Sequence, residues 1–328
     1  MATKRPNGKQ TAKRKSGHPG GPKKQQVHHV RKATARDWIS AARLATLPLS
    51  ITPVVLGTAA AYSMAPDRDT DPWWHWIRAA ACLVVALALQ IGVNFANDYS
   101  DGIRGTDAVR SGPRRLTASG AASPRSVLTV AIVFFGIAAL AGLFVTWRSG
   151  QWWFLAVGAV CILAAWFYTG GRRPYGYYAL GEVAVFIFFG IVATLGTEIA
   201  LAGGVSSIGW AAAIASGAFG SAAILVANTR DIATDRLAGK RTLSVLIGDR
   251  ASRVLYVVLL AVPYVVLAFY GLFLYDHAIY AYFSLLIAVP AAIIAITAKT
   301  PKELVLVLKL TALASLVYAL LAGWAIAF

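Results

Sequence analysis

Residues 77–101 read Ile77-Arg78-Ala-Ala-Ala-Cys82-Leu-Val-Val-Ala-Leu-Ala-Leu-Gln90-Ile-Gly-Val-Asn94-Phe-Ala-Asn97-Asp98-Tyr99-Ser100-Asp101. An apolar run of this length is long enough to cross the roughly 30 Å hydrocarbon core of a bilayer, which needs about 20 residues of helix. It ends in amides and carboxylates. Gln90, Asn94, Asn97 and Asp101 step by 4, 3 and 4, so they form one stripe on a helix of 3.6 residues per turn. Polar groups on a membrane helix are costly and by default mark function.

The rest of the chain is built the same way. Of 328 residues, 58% are apolar and 14% are charged, and the mean hydropathy is +0.61. A soluble domain averages about 25% charged residues, so an ordinary soluble globule is excluded. Nine apolar stretches are candidate spans: 38–62, 77–100, 124–146, 151–169, 177–201, 208–229, 252–273, 278–297 and 303–327. The expected fold class is therefore all-α, a polytopic membrane protein of nine transmembrane helices.

The net charge of +17 is unevenly placed, because residues 1–36 hold 11 of the 31 basic residues and no acid. Their Lys, Arg, Gly, Pro and Gln offer nothing to bury. They are expected to form a disordered basic cytoplasmic tail ahead of a membrane domain at 37–328. No signal peptide is read, since no short apolar segment and cleavage site follow the basic residues closely. If the tail is cytoplasmic, the loops on its side carry 15 basic residues, from Arg104 to Lys302. The opposite loops carry Arg68, Arg78 and Arg148. That asymmetry satisfies the positive-inside rule and puts the C-terminus outside. Most tryptophans then fall near the outer interface. Cys82 and Cys161 lie in apolar runs, and the five histidines lack metal-ligand spacing.

Five of the 14 acids gather at two inner helix ends. The first group is Asp98, Asp101 and Asp107, beside Asn97. The second is Asp231 and Asp235, with Asn228 one step before on the same face. Like charges at helical spacing repel, and a divalent cation would hold them together. Mg²⁺ favours carboxylate oxygen together with substrate phosphate. Basic residues flank both groups: Arg104, Arg110, Arg114, Arg115, Lys240 and Arg241. Such a rim grips phosphate oxygens. Carboxylates, a metal and a basic rim at a lipid boundary suggest a diphosphate on a lipid tail. The competing account is that these acids only cap helices or pair with arginine. A P-loop is excluded because position 234 is Thr where glycine is required. The CDP-alcohol phosphotransferase pattern is excluded because the acid after Asp107 is Glu182. A carrier is disfavoured because both groups lie at one membrane face rather than near the midplane.

Asn97-Asp98-x-x-Asp101 and Asp231-x-x-x-Asp235-x-x-x-Gly239-Lys240-x-Thr242 resemble the two aspartate-rich motifs of the UbiA superfamily of intramembrane prenyltransferases. The resemblance covers about 38–328. The stretches around Arg43-Leu-Ala-Thr-Leu47-Pro48, Asn97–Asp107, Gly112–Leu116, Tyr168-Thr-Gly-Gly171 and Leu180-Gly-Glu182 are similar to the branch that prenylates 1,4-dihydroxy-2-naphthoate in menaquinone biosynthesis. The third acid is shifted, since Gly105 stands where the wider superfamily usually has Asp and Asp107 follows. The resemblance implies a helical bundle around a lipid-facing cavity, an isoprenyl diphosphate donor, an aromatic acceptor and Mg²⁺. It implies that Asp98, Asp101, Asp107, Asp231 and Asp235 serve the metal. Arg43, Asn97, Arg115, Asn228, Lys240 and Arg241 would contact the diphosphate. Tyr168 would face an allylic cation, and Glu182 would orient or deprotonate the acceptor, while Glu198, at the outer end, is read as structural. Acceptors of the 4-hydroxybenzoate or chlorophyll type remain open alternatives.

Overall fold

The computed structural model describes residues 31–64, 72–106, 115–273 and 276–327, and these contain helices and turns but no strand. The basic tail up to residue 30, Asp107, Arg110 and Arg114 lie outside the described residues. The unit Lys32–Phe328 is an all-helical bundle. It begins with α1 (Ala35–Ala41) and α2 (Pro48–Met64), followed by α3 (Pro72–Arg104), α4 (Pro124–Ser149) and α5 (Phe154–Phe167). Next come α6 (Gly181–Ala202), α7 (Ser207–Leu237), the short α8 (Leu243–Ile247), α9 (Asp249–Phe273), α10 (Leu285–Thr297) and α11 (Pro301–Ala327).

The expected count of nine spans is corrected. Seven described helices are long and apolar enough to cross a membrane, or eight if the bent pair Ala35–Thr46 and Pro48–Met64 counts as one span. That pair is bent by 46°. Arg43 stands at the bend in the left-handed region, with φ 57° and ψ 51°, and Pro48 opens the next helix. The stretch expected at 151–169 forms only the 14-residue α5. At 1.5 Å per residue it extends about 21 Å, short of the roughly 30 Å hydrocarbon core. Gly150 before it (φ 71°) and Gly171 after it (φ 73°) adopt positive φ that other residues resist.

Outward faces are apolar, as at Leu140, Val265 and Leu286, which are 70%, 69% and 75% exposed. They form the surface that lipid covers. Trp76 and Trp210 are exposed near the starts of α3 and α7, at the ends opposite their aspartates. Inside, Phe219, Leu225, Tyr256 and Val307 anchor one core cluster, and Phe95, Leu116, Val127 and Phe135 another.

Close helix approach is required between α6 and α7. Without a hydrophobic driving force between helices in lipid, tight packing depends on small residues. A Cβ on Gly190 would meet Gly217 Cα at 2.6 Å and Ala213 O at 2.7 Å. Both obstacles are backbone atoms, which cannot swing aside. Gly190 lies in a π-helical stretch, Phe186–Val192, that widens α6 where it meets α7. Gly190→Val is expected to cost about 1–3 kcal/mol by overpacking, read as a lower unfolding midpoint in detergent. Gly136→Ala, where an added Cβ meets nothing within 4 Å, is the control that leaves the midpoint in place.

Candidate active site

The polar stripe of α3 divides into two jobs. Gln90 Nε2 donates to Thr46 O at 3.0 Å, and Asn94 Nδ2 donates to Ala42 O at 3.1 Å. Ser50 Oγ donates to Gln90 Oε1. These bonds satisfy carbonyls that the α1–α2 bend removes from helical pairing, as hydrocarbon surroundings demand. Within the expected stripe, Gln90 and Asn94 thus hold the bend.

Asn97 Oδ1 accepts from Thr169 Oγ1 at 2.6 Å, which ties α3 to the segment after α5. Asp98 is 1% exposed. Its Oδ2 accepts from the Leu116 N–H and its Oδ1 from the Thr117 N–H, each at 2.9 Å. Asp98 therefore anchors the chain returning towards α4, and keeps Arg115 beside the motif. Arg104, expected to grip phosphate, is directed elsewhere. Its guanidinium donates to the carbonyls of Thr169 and Gly171.

Asp101 is the junction. Its Oδ1 accepts from the Tyr177 hydroxyl at 2.6 Å, and its Oδ2 from Lys240 Nζ at 3.2 Å. Lys240 Nζ also lies 4.6 Å from the centre of the Tyr177 ring, a cation–π distance. The Lys240 N–H donates to Asp235 O, and the Arg241 N–H to Tyr177 O, both at 2.8 Å. The two aspartate motifs, far apart in sequence, thus meet through one lysine and one tyrosine. Burial, then the charge of Asp101, pushes the Tyr177 hydroxyl up to about 12. It stays protonated near neutral pH and keeps donating.

The second motif sits on the last turns of α7. Asp231, 2% exposed, is gripped by the adjacent Arg230 through Nε at 2.7 Å and Nη2 at 2.6 Å. Asp235 is buried, and the Arg241 side chain is exposed. One helical turn before Asp231, Asn228 Nδ2 donates to Glu182 Oε1 at 2.9 Å. Glu182 Oε2 is buried and has no hydrogen-bond partner among the described residues. Behind this face, Thr229 Oγ1 meets Ser244 Oγ at 3.2 Å, which folds α8 back on α7 and presents Lys240. At the far end of α6, Glu198 Oε1 accepts from the N–H and the hydroxyl of Ser206, 2.9 and 2.5 Å away, at the start of α7.

Tyr168 joins this polar region to an apolar cavity. The cavity is about 450 Å³, with walls from α2 to α6 that include Val54, Leu89, Val145, Phe154, Phe188 and Leu195. Tyr168 and Tyr175 line it, ring to ring edgewise at 5.4 Å. Burial, then the charges of Glu182 and Asp101, push the Tyr168 hydroxyl up, and Arg43 opposes them.

Among the described residues, no three Asp, Glu, His or Cys side chains form a metal cage by themselves. Mg²⁺ requires none, since it takes one or two carboxylates and completes its shell with water and phosphate. The donors on hand are hard oxygens. Thr242 Oγ1 and Glu182 Oε2 are buried polar atoms with no hydrogen-bond partner among the described residues. The residues fit a divalent cation shared with a phosphate group.

Sequence reading missed Tyr177, Thr169 and the role of Arg230. Thr169 and Tyr177 lie among aromatic and glycine residues after α5 with no spacing to flag them. In the sequence Arg230 is one of the 15 basic residues that the tail-side loops carry from Arg104 to Lys302, with nothing to set it apart.

The model of the UbiA prenyltransferase family matches residues 53–304. The chain is 46% identical over 299 residues to a 1,4-dihydroxy-2-naphthoate octaprenyltransferase of Mycobacterium tuberculosis (strain ATCC 25618 / H37Rv), covering 90% of this chain and 98% of the relative. The protein of the same name from Mycobacterium leprae (strain TN) is 49% identical over 231 residues, 70% of this chain and 75% of the relative. Among solved structures, a UbiA homolog from Aeropyrum pernix K1 superposes with a TM-score of 0.62 at 16% identity, covering 84% and 96% of the two chains. One from Archaeoglobus fulgidus, bound to DMAPP and Mg²⁺, gives 0.57 at 14% identity, covering 89% and 99%. Fold, paired motifs and relatives agree, and the chain belongs to the UbiA prenyltransferase family.

Proposed function

We propose that this enzyme moves a polyprenyl group from polyprenyl diphosphate to 1,4-dihydroxy-2-naphthoate, releasing diphosphate and CO₂ and giving demethylmenaquinol, with Mg²⁺ as cofactor. The observation that carries the reading is the Asp101–Tyr177–Lys240 junction, which brings both aspartate motifs together beside an apolar cavity. The acceptor rests on the relatives of that name.

Asp101, Asp231 and Asp235 are the carboxylates that would hold Mg²⁺, with Asn97 and Asn228 beside them. Asp98 supports the metal site through the loop that it anchors, and Asp107 is retained as a proposed ligand from the motif alone. A bound Mg²⁺ neutralises charge growing on the departing diphosphate. Lys240, Arg241, Arg43 and Arg115 are the proposed diphosphate contacts, and ammonium and guanidinium groups suit phosphate oxygen. The prenyl chain lies in the apolar cavity, whose walls exclude water from the allylic carbon. The Tyr168 ring faces that carbon, where an aromatic face is worth about 0.5–2 kcal/mol to a cation. Glu182, held through Oε1 by Asn228, turns Oε2 to an acceptor hydroxyl and takes its proton as the ring attacks. The C–O bond to diphosphate breaks, the new C–C bond forms, the acceptor's carboxylate leaves as CO₂, and Glu182 returns the proton to the naphtholate oxygen, which gives the diol. The protein works in the cell membrane, with its N-terminus and site opening on the cytoplasmic face and, with α5 as a short ninth crossing beside the bent pair and the seven long helices, its C-terminus outside, as the basic loops imply.

Asp101→Ala or Asp235→Ala is expected to lower prenyl transfer by at least about 10²-fold while the protein still inserts in membranes; near-wild-type turnover in either variant overturns the metal assignment. Membranes incubated with Mg²⁺, a prenyl diphosphate and a panel of aromatic acids should yield a decarboxylated prenyl naphthalenediol, identified by mass. A prenylated 4-hydroxybenzoate as the sole product would reassign the acceptor.

A further inference from the structure

Each aspartate motif carries its own cation, and the two cations are held differently. Arg230 is the sequence neighbour of Asp231 and engages both carboxylate oxygens. A guanidinium in that fork is geometrically locked. Lys240 reaches a residue 139 positions away and bonds a single oxygen. The pair is buried, with side chains 9% and 3% exposed. An ammonium on a four-carbon stem is a point charge that re-aims easily. The Lys240 backbone is fixed independently, by Asp235 O on its own N–H and Tyr177 O on the next. The side chain is therefore able to leave Asp101 without moving the turn.

We propose that Lys240 is a displaceable counter-ion that makes divalent-cation binding at Asp101 conditional on diphosphate. The inference rests on the reading above, in which Asp101 meets the metal and Lys240 the diphosphate. A cation arriving alone must push the ammonium off Asp101 Oδ2. It leaves that ammonium buried, unpaired and beside a double positive charge, and an unpaired buried charge is strongly unfavourable. A diphosphate changes the balance, because its oxygens offer Lys240 a new anionic partner. The ammonium moves from carboxylate to phosphate, and Oδ2 opens to the metal. Tyr177 steadies the exchange. Its hydroxyl remains on Oδ1, so the carboxylate keeps its orientation, and its ring lies under the ammonium throughout. Coupling between two ligands is reciprocal, so the metal equally tightens diphosphate.

The test uses the full chain in nanodiscs, with Mn²⁺ as a paramagnetic substitute for Mg²⁺ and inorganic pyrophosphate as the anion. Bound Mn²⁺ is read by spin resonance, with the Mn²⁺–pyrophosphate complex in solution subtracted. In the wild type, pyrophosphate is expected to tighten Mn²⁺ by about 10-fold or more. Lys240→Gln should bind Mn²⁺ alone about 10-fold more tightly than the wild type and pyrophosphate alone about 10-fold more weakly. The opposite signs matter, since general loosening of the fold weakens both. Lys240→Arg, which keeps the charge and adds a fork, should bind Mn²⁺ alone no better than the wild type, and it serves if the Gln variant does not accumulate. If Lys240→Gln binds Mn²⁺ alone no more tightly, or Lys240→Arg binds it more tightly, the proposal is overturned. The reading of the site still stands if pyrophosphate promotes Mn²⁺ binding in the wild type. If the wild type binds neither ligand, separately or together, the reading of the site falls and the proposal with it.

Discussion

The buried carboxylate of Asp101 is the interaction on which the site depends. A charge so placed is tolerable only with a counter-charge and hydrogen bonds. Tyr177 and Lys240 supply them from two different parts of the chain. Meeting the electrostatic requirement of one group therefore fixes the relative position of three segments: the end of α3, the loop before α6 and the turn after α7. Each of those segments carries residues assigned to the reaction. On the proposed assignment, folding demand and catalytic geometry are met by the same contacts.

A second constraint runs beneath the first. The bilayer allows no unpaired backbone in hydrocarbon, yet the chain bends sharply at Arg43. Gln90 and Asn94 make the bend possible by reaching its carbonyls. Arg43 is then held at the end of the polar region, within electrostatic reach of Tyr168. A residue with positive φ and a basic side chain is thus placed by amides on the neighbouring helix. Asp98 works in the same manner on Leu116 and Thr117. Half of the first polar stripe is scaffolding for the other half.

The all-helical membrane fold was legible in residue composition and in apolar runs of span length. The paired motifs were legible in spacing, because 3.6-residue periodicity survives in any helix. What the chain did not reveal was the division of labour within a stripe. Gln90 and Asp101 share a face, and their different partners are set by packing 11 residues apart along α3. Tyr177 was hidden for the same reason: it lies on a loop, where no period ties it to Asp101. The count of spans failed at α5, because Trp152 and Trp153 extend the apolar stretch ahead of the helix, so that hydropathy alone saw a longer crossing.

That short helix has a consequence for the membrane itself. A wall about 9 Å shorter than the hydrocarbon core is a built-in hydrophobic mismatch. Lipids against α5 must thin, or adjoining segments must cover the gap. Trp153 and Phe154 at one end of the helix, and Tyr168 and Tyr175 just past the other, line the cavity behind it. The low wall and the cavity therefore share a boundary. A long lipid chain anchored at its head among the aspartates would meet its shallowest barrier to the bilayer there.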